Sequence, residues 1–139
     1  MTDPHPAASS RENGAKATLR GYRILIVEDS WVVAQSLKAM LEMIGATVVG
    51  PAATLEDATA FADAAGFDVA IMDLDLQGRM ADTLIAAMHR RDMPVVIVTA
   101  YEVPPALAGK AVAVLSKPVR AESLLAQLRQ IRAENEGRR

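Results

Sequence analysis

Glu28-Asp29, Asp73, Thr99 and Lys117 have the side chains of this sequence best suited to phosphoryl chemistry, and each closes or follows an apolar run. An aspartate at a strand end can be a nucleophile that forms an acyl phosphate. Its difficulty is electrostatic. A carboxylate attacking a dianionic phosphoryl group needs positive charge at the equatorial oxygens, because phosphoryl transfer is largely positioning plus charge stabilisation. Glu28 and Asp29 brought beside Asp73 form three carboxylates that repel one another unless a cation sits among them. An all-oxygen ligand set with room for waters and phosphate favours Mg2+ over zinc. Lys117 adds a point charge for one phosphate oxygen and Thr99 a hydroxyl donor for another. Pro118 is expected to fix the lysine loop, with a cis Lys117–Pro118 bond as one means.

The elements that must position these residues are strand-like. Arg23-Ile24-Leu25-Ile26-Val27 runs into Glu28-Asp29, and Asp68-Val69-Ala70-Ile71-Met72 runs into Asp73. Val95-Val96-Ile97-Val98 ends on Thr99, and Ala111-Val112-Ala113-Val114-Leu115 leads through Ser116 to Lys117-Pro118. The C-terminal ends of parallel strands lie along one sheet edge, where open α/β folds bind ligands. Between the runs the apolar period turns helical. Val33, Leu37, Met40, Leu41 and Ile44 mark a first helix stopped by Gly45, and Thr47-Val48-Val49 reads as a short strand closed by Gly50-Pro51. Thr54-Leu55-Glu56-Asp57 resembles a capping box opening a helix that buries Leu55, Ala58, Phe61, Ala62 and Ala65 and stops at Gly66. Gln77-Gly78 makes a turn, and a helix over 80–91 places Leu84, Ile85 and Met88 inward. Residues 101–110, with Pro104-Pro105 and Gly109, leave room for a helical turn or two, and Leu124, Leu125, Leu128 and Ile131 mark a last helix. Five strands alternating with helices imply a parallel sheet covered on both faces. Residues 1–20 are polar and aperiodic and read as a disordered tail, 21–133 as one domain, and 134–139 as a C-terminal tail.

Bulk properties exclude much else. A chain of 139 residues, 51% hydrophobic, suits one globular domain with a core of its own. A net charge of −2 gives no reason to invoke nucleic acid. The absence of cysteine rules out disulfides and thiolate chemistry, and only two histidines, His5 and His89, rule against a histidine metal site. His89, followed by Arg90-Arg91, reads as a solvated helix C-terminus. No run approaches the ~20 apolar residues of a membrane span, and no signal peptide is visible, so the expected location is cytoplasmic.

Each strand-end residue has an ordinary reading: Glu28-Asp29 as a solvated strand end and N-cap, Lys117-Pro118 as a turn. What outweighs these readings is the occurrence of all four elements in the order one fold requires. In that order they resemble a response-regulator receiver domain of two-component signalling, over residues 22–133. The resemblance implies a flavodoxin-like, five-stranded parallel sheet of order 2-1-3-4-5 with helices on both faces. It implies that Asp73 takes phosphate from a phosphohistidine of a sensor histidine kinase or phosphotransfer protein. Glu28, Asp29 and Asp73 then hold Mg2+ with the backbone carbonyl of Asp75, while Thr99 and Lys117 contact the phosphoryl group. Asp75 and Tyr101, flanking that group, are the residues that would modulate the acyl-phosphate lifetime.

Three departures from the family pattern stand out. Gln77 replaces a common proline, Val114 replaces the usual switch aromatic, and the Thr99–Lys117 interval is short, so the fourth helix is expected to be truncated. Pro94-Val95-Val96-Ile97-Val98-Thr99-Ala100-Tyr101 partly resembles the Pro-Phe-x-Phe-Ala-Thr-Gly-Tyr stretch of "FAT GUY" receivers, which are often stand-alone and associated with HWE-type kinases; Val98 and Ala100 break the motif. Tyr101 is the candidate substitute for the missing aromatic, and Trp31, beside the acidic pair, a candidate fluorescent reporter. Two other classes compete. Asp73-Leu74-Asp75 also matches the DxD motif of haloacid-dehalogenase-type phosphatases, though these carry it on the first strand; a phosphorylation-independent interaction module has no reason to keep a self-repelling acidic cluster. With 22 residues after Lys117 there is no room for an output domain there, and Met1 and the tail favour a stand-alone receiver over one cut from a hybrid kinase.

Overall fold

The computed structural model describes residues 19–137; most of the expected N-terminal tail, residues 1–18, lies outside them. Five strands, β1 (Arg23–Val27), β2 (Thr47–Ala52), β3 (Val69–Asp73), β4 (Val95–Thr99) and β5 (Ala113–Ser116), form one sheet. Five helices connect and follow them: α1 (Trp31–Met43), α2 (Leu55–Ala64), α3 (Asp82–Arg90), α4 (Pro105–Ala108) and α5 (Ala121–Gly137). The strand order is β2-β1-β3-β4-β5 and every pairing is parallel, as the resemblance implied. α4 is a single four-residue turn, the truncation expected from the short Thr99–Lys117 interval.

Period-two alternation divides the core between the two sheet faces. Leu25, Val27, Ala70, Met72, Val95 and Ile97 pack with Ala58 and Ala62 of α2, Ile85 and Met88 of α3, and Leu107 of α4. Ile24, Ile26, Val69, Ile71, Val96 and Val98 pack with Ala34 and Leu41 of α1 and with Leu124, Leu128 and Ile131 of α5. Because β1, β3 and β4 are covered on both faces, their sequences are continuous apolar runs. After these apolar runs the next polar residues, Glu28, Asp73 and Thr99, fall where cover ends, at the C-terminal edge.

Several boundaries differ from the sequence expectation, each for a local reason. β2 does not close at Val49 but runs through Gly50-Pro51, whose peptide bond is cis, to Ala52. The register slips there, with Leu25 opposite Val49 but Val27 opposite Ala52, and the Glu28 N–H then donates to the Ala52 carbonyl at 2.9 Å. An edge strand tolerates the proline because one side of it needs no donors. α2 is capped by Thr54, whose Oγ1 accepts from Asp57 N at 3.1 Å, but it ends in left-handed Ala65 (φ 53°) rather than at Gly66, and Ala65 is exposed. On α1 the buried line runs through Ala34 and Leu41, so Val33 is 38% exposed and faces an apolar groove of about 550 Å³ shared with Val98 and the Lys117–Ala121 segment. α5 continues to Gly137, past the expected end at 133, and carries i,i+4 contacts from Gln130 to Glu134 and Arg132 to Glu136 that suit a continuing helix. Leu19, within the expected tail, is fully buried against the α1/α5 face, and its carbonyl accepts from Tyr22 N.

Gly50 has φ +85°, and a Cβ there would lie 2.9 Å from Ala52 N and 3.3 Å from Ile26 O. Gly50→Ala should cost about 2 kcal/mol or more of stability, by left-handed strain plus a backbone clash. Gly78→Ala, with similar φ but nothing within 4 Å, should cost only about 1 kcal/mol. Urea unfolding of both variants checks the ranking.

Candidate functional site

Register alone assembles the site. Val27 lies opposite Met72, Asp73 opposite Val98, and Thr99 opposite Ser116. The residues just beyond this row, Glu28-Asp29 after β1 and Lys117 after β5, therefore converge on Asp73 and Thr99 at the strand ends. The change of direction between β2-β1 and β3-β4-β5 makes this the topological switch point of the sheet.

Lys117 Nζ donates to Asp73 Oδ2 at 2.9 Å and to Glu28 Oε1 at 3.1 Å. Glu28 Oε2 accepts from Ser30 N at 3.0 Å, and Asp73 Oδ1 accepts from Asp75 N at 3.2 Å. Asp29 Oδ2 accepts from Gln77 N at 2.9 Å. Glu28, Asp73 and Thr99 are the buried polar or charged residues among those described. Oxygens of Glu28, Asp29 and Asp73, one from each, lie within 4.8 Å of one another, and Asp29, Asp73, Asp75, Tyr101 and Lys117 line a polar cleft of about 260 Å³. Such a donor set, oxygen only and carrying three carboxylates against one ammonium, fits a hard divalent cation such as Mg2+ and not a soft one.

The electrostatics follow from burial and partners. Burial pushes the Glu28 carboxyl above its ordinary range, and the bonds from Ser30 and Lys117 only partly offset this. For Asp29 burial acts in the same direction, but the bonds from Glu28 and the Gln77 N–H outweigh it and hold the group low. Burial also disfavours the Lys117 ammonium, yet its bonds to Asp73 and Glu28 prevail and raise it.

Of the other residues singled out in the sequence, Thr99 Oγ1 accepts from Tyr101 N at 3.1 Å, and the Thr99 carbonyl accepts from Lys117 N at 2.9 Å. Tyr101 itself is 65% exposed. The Asp75 carboxylate is turned to its own loop, with Oδ1 accepting from Gly78 N at 2.9 Å. The Lys117–Pro118 bond is cis. Trp31 is exposed at the start of α1, and His89 is exposed near the end of α3. Ser30 and Gln77 were missed as parts of the site because both act through main-chain N–H groups, which no side-chain pattern marks.

The receiver-domain model of response regulators matches residues 24–129. The chain belongs to the response regulator receiver family. Among solved structures it is similar to a receiver domain protein from Methanospirillum hungatei JF-1, at 29% identity over 86% of this chain and 99% of that one, with a TM-score of 0.79. It is also similar to SdrG from Sphingomonas melonis Fr1, at 30% identity over 80% and 96% of the two chains and a TM-score of 0.70. A Burkholderia pseudomallei response regulator, solved with a phosphorylated aspartic acid, a calcium ion and citrate, is 28% identical over 84% of this chain and 72% of that one, with a TM-score of 0.68. No curated protein sequence matches at a significant level. Val114 is 40% exposed on the edge strand β5. No described helix is long and apolar enough to cross a membrane.

Lys117→Met would leave the buried Glu28 and Asp73 carboxylates without their shared ammonium. In metal-free buffer near neutral pH this should cost about 2 kcal/mol, allowing for the partial exposure of the lysine. The deficit should narrow as pH falls, because the buried Glu28 carboxyl, raised above its ordinary range, takes up a proton in the folded variant before it does in the unfolded chain. Chemical denaturation across pH measures this, and an unchanged stability would show that the lysine does not balance the acids.

Proposed function

We propose that this receiver accepts a phosphoryl group on Asp73 from a phosphohistidine of a sensor histidine kinase or phosphotransfer protein, with Mg2+ bound at Glu28, Asp29, Asp73 and the Asp75 carbonyl. The single observation that carries the reading is Lys117 Nζ lying 2.9 Å from Asp73 Oδ2, at the mouth of a cleft walled by carboxylates. Asp73 is the nucleophile. Its oxygen forms the new O–P bond as the P–N bond to the donor imidazole breaks. Lys117 follows the charge from the free carboxylate to a phosphoryl oxygen, and the Thr99 hydroxyl donates to another. Mg2+, when bound, neutralises the acidic cluster and the incoming oxygens. The phosphorylated aspartic acid and calcium ion of the Burkholderia structure are consistent support from a relative.

The phosphatase alternative needs Asp75 as acid or base toward substrate, whereas its carboxylate is engaged by the Gly78 N–H. Output is proposed to be binding of a protein partner in the cytoplasm or drainage of phosphate from a kinase. The Pro94–Tyr101 stretch makes an HWE-type kinase the donor to test first, with Tyr101 as the proposed substitute for the switch aromatic missing at Val114.

Acetyl phosphate with Mg2+ should add one phosphoryl mass to the protein, as read by intact mass spectrometry. The adduct should vanish in Asp73→Asn and when the metal is chelated. A metal-independent adduct, or one surviving in the variant, would refute the assignment. Steady turnover of a phosphate ester, lost in Asp75→Asn, would instead establish the phosphatase reading.

A further inference from the structure

The β3–α3 connection contains a small device that the site chemistry leaves unexplained. Asp75–Leu76 and Arg79–Met80 pair as a two-residue antiparallel ribbon, with Asp75 opposite Met80 and Leu76 opposite Arg79. Its turn residues, Gln77 (φ 55°) and Gly78 (φ 81°), both have positive φ, the signature of a type I′ turn. A non-glycine residue is strained in that region by about 1 kcal/mol or more. Gln77 is exposed, and its side chain makes no hydrogen bond among the described residues. What the turn does present is the Gln77 N–H, 2.9 Å from Asp29 Oδ2 on the loop after β1.

We propose that the Gln77 main-chain N–H is a positioning group of the metal site, holding the Asp29 carboxylate in place for the cation. The proposal rests on the reading of the site as a Mg2+ centre. Besides its contact with Glu28, Asp29 has this one main-chain tether from across the cleft. The other two acids are each fixed by Lys117 and by a nearby main-chain N–H, from Ser30 for Glu28 and from Asp75 for Asp73. Among the described residues, Lys117 makes no hydrogen bond to Asp29. The amide that reaches it comes from across the cleft. Engaging one carboxylate oxygen orients the group and leaves the second oxygen available as a ligand.

The turn that delivers this amide is itself anchored away from the acids. Asp75 Oδ1 accepts from Gly78 N at 2.9 Å, closing the turn. Leu76 is 1% exposed and packs in the core. Arg79 Nη1 meets Glu56 Oε2 of α2 at 2.6 Å. Proline, common at this position in the family, could not serve in this geometry, because it lacks the N–H and its φ is fixed near −65°. The departure at Gln77 is thus a change in how the metal-side acid is held.

The decisive variant replaces the Leu76–Gln77 peptide bond by an ester, using the α-hydroxy analogue of glutamine, which removes the N–H while keeping the chain path. Mg2+ titrated calorimetrically should bind this variant about tenfold more weakly than the wild type, as outer-shell partners of metal ligands generally show. Gln77→Gly, which keeps the donor and relieves the strain, should bind within about twofold of wild type. In the metal-free wild type the Gln77 amide should exchange with solvent more slowly than an exposed turn amide. Equal Mg2+ affinity in the ester variant, or a Gln77 amide that exchanges freely, would overturn the positioning role while leaving the phosphoacceptor reading intact. A wild type that takes up no Mg2+ would overturn both.

Discussion

The balance between the Lys117 ammonium and two buried carboxylates is the constraint on which the rest of this molecule depends. Glu28, just past β1, and Asp73, at the end of the adjacent β3, are both buried, where a polar group needs a partner. Lys117 comes from the far edge of the sheet and reaches both. Three strands are therefore fixed relative to one another by one side chain, and that side chain is held in turn by Lys117 N donating to the Thr99 carbonyl. The same geometry makes the site poised. Any divalent cation or phosphoryl group entering the cleft alters the charge that the lysine balances, so ligand binding and the packing of the strand ends are one equilibrium.

The placement of the site residues was legible in the sequence because strands buried on both faces leave little freedom. A residue such as Asp73 or Thr99 at the end of a doubly covered apolar run can only lie at the sheet edge. The order of the strands was not legible from periodicity; it came from the resemblance. Features set by one residue's backbone were also hidden. Ala65 takes the left-handed cap although Gly66 stands beside it, and Gly50-Pro51 reads as a stop but is a bulge inside an edge strand. Leu19 looks like tail because its neighbours in sequence are polar, while its burial depends on α1 and α5 packing over the start of β1. Gln77 and Ser30 serve through their amides, and any residue except proline carries one.

The α4-β5 side of the receiver is built more lightly than the side that holds the acids. α4 is one turn, β5 alternates between half-buried and exposed residues, and Val114 on it is partly exposed. Tyr101 is tied to the site through its N–H on Thr99 Oγ1 while its side chain remains largely in solvent. Thr99 is thus coupled to the segment after β4 through the main chain rather than through aromatic packing.

The bulge at Gly50-Pro51 has a consequence for assembly. An open sheet has two edges at which another chain could add a strand, and unprotected edges invite such pairing. On the β2 edge, Pro51 lacks an N–H and the register slip interrupts the regular ladder between Val49 and Ala52. On the opposite edge, β5 is four residues long. Neither offers a long, regular template, so lateral growth of the sheet is discouraged and encounters with other proteins are left to the helical faces and to the rim where the acids lie.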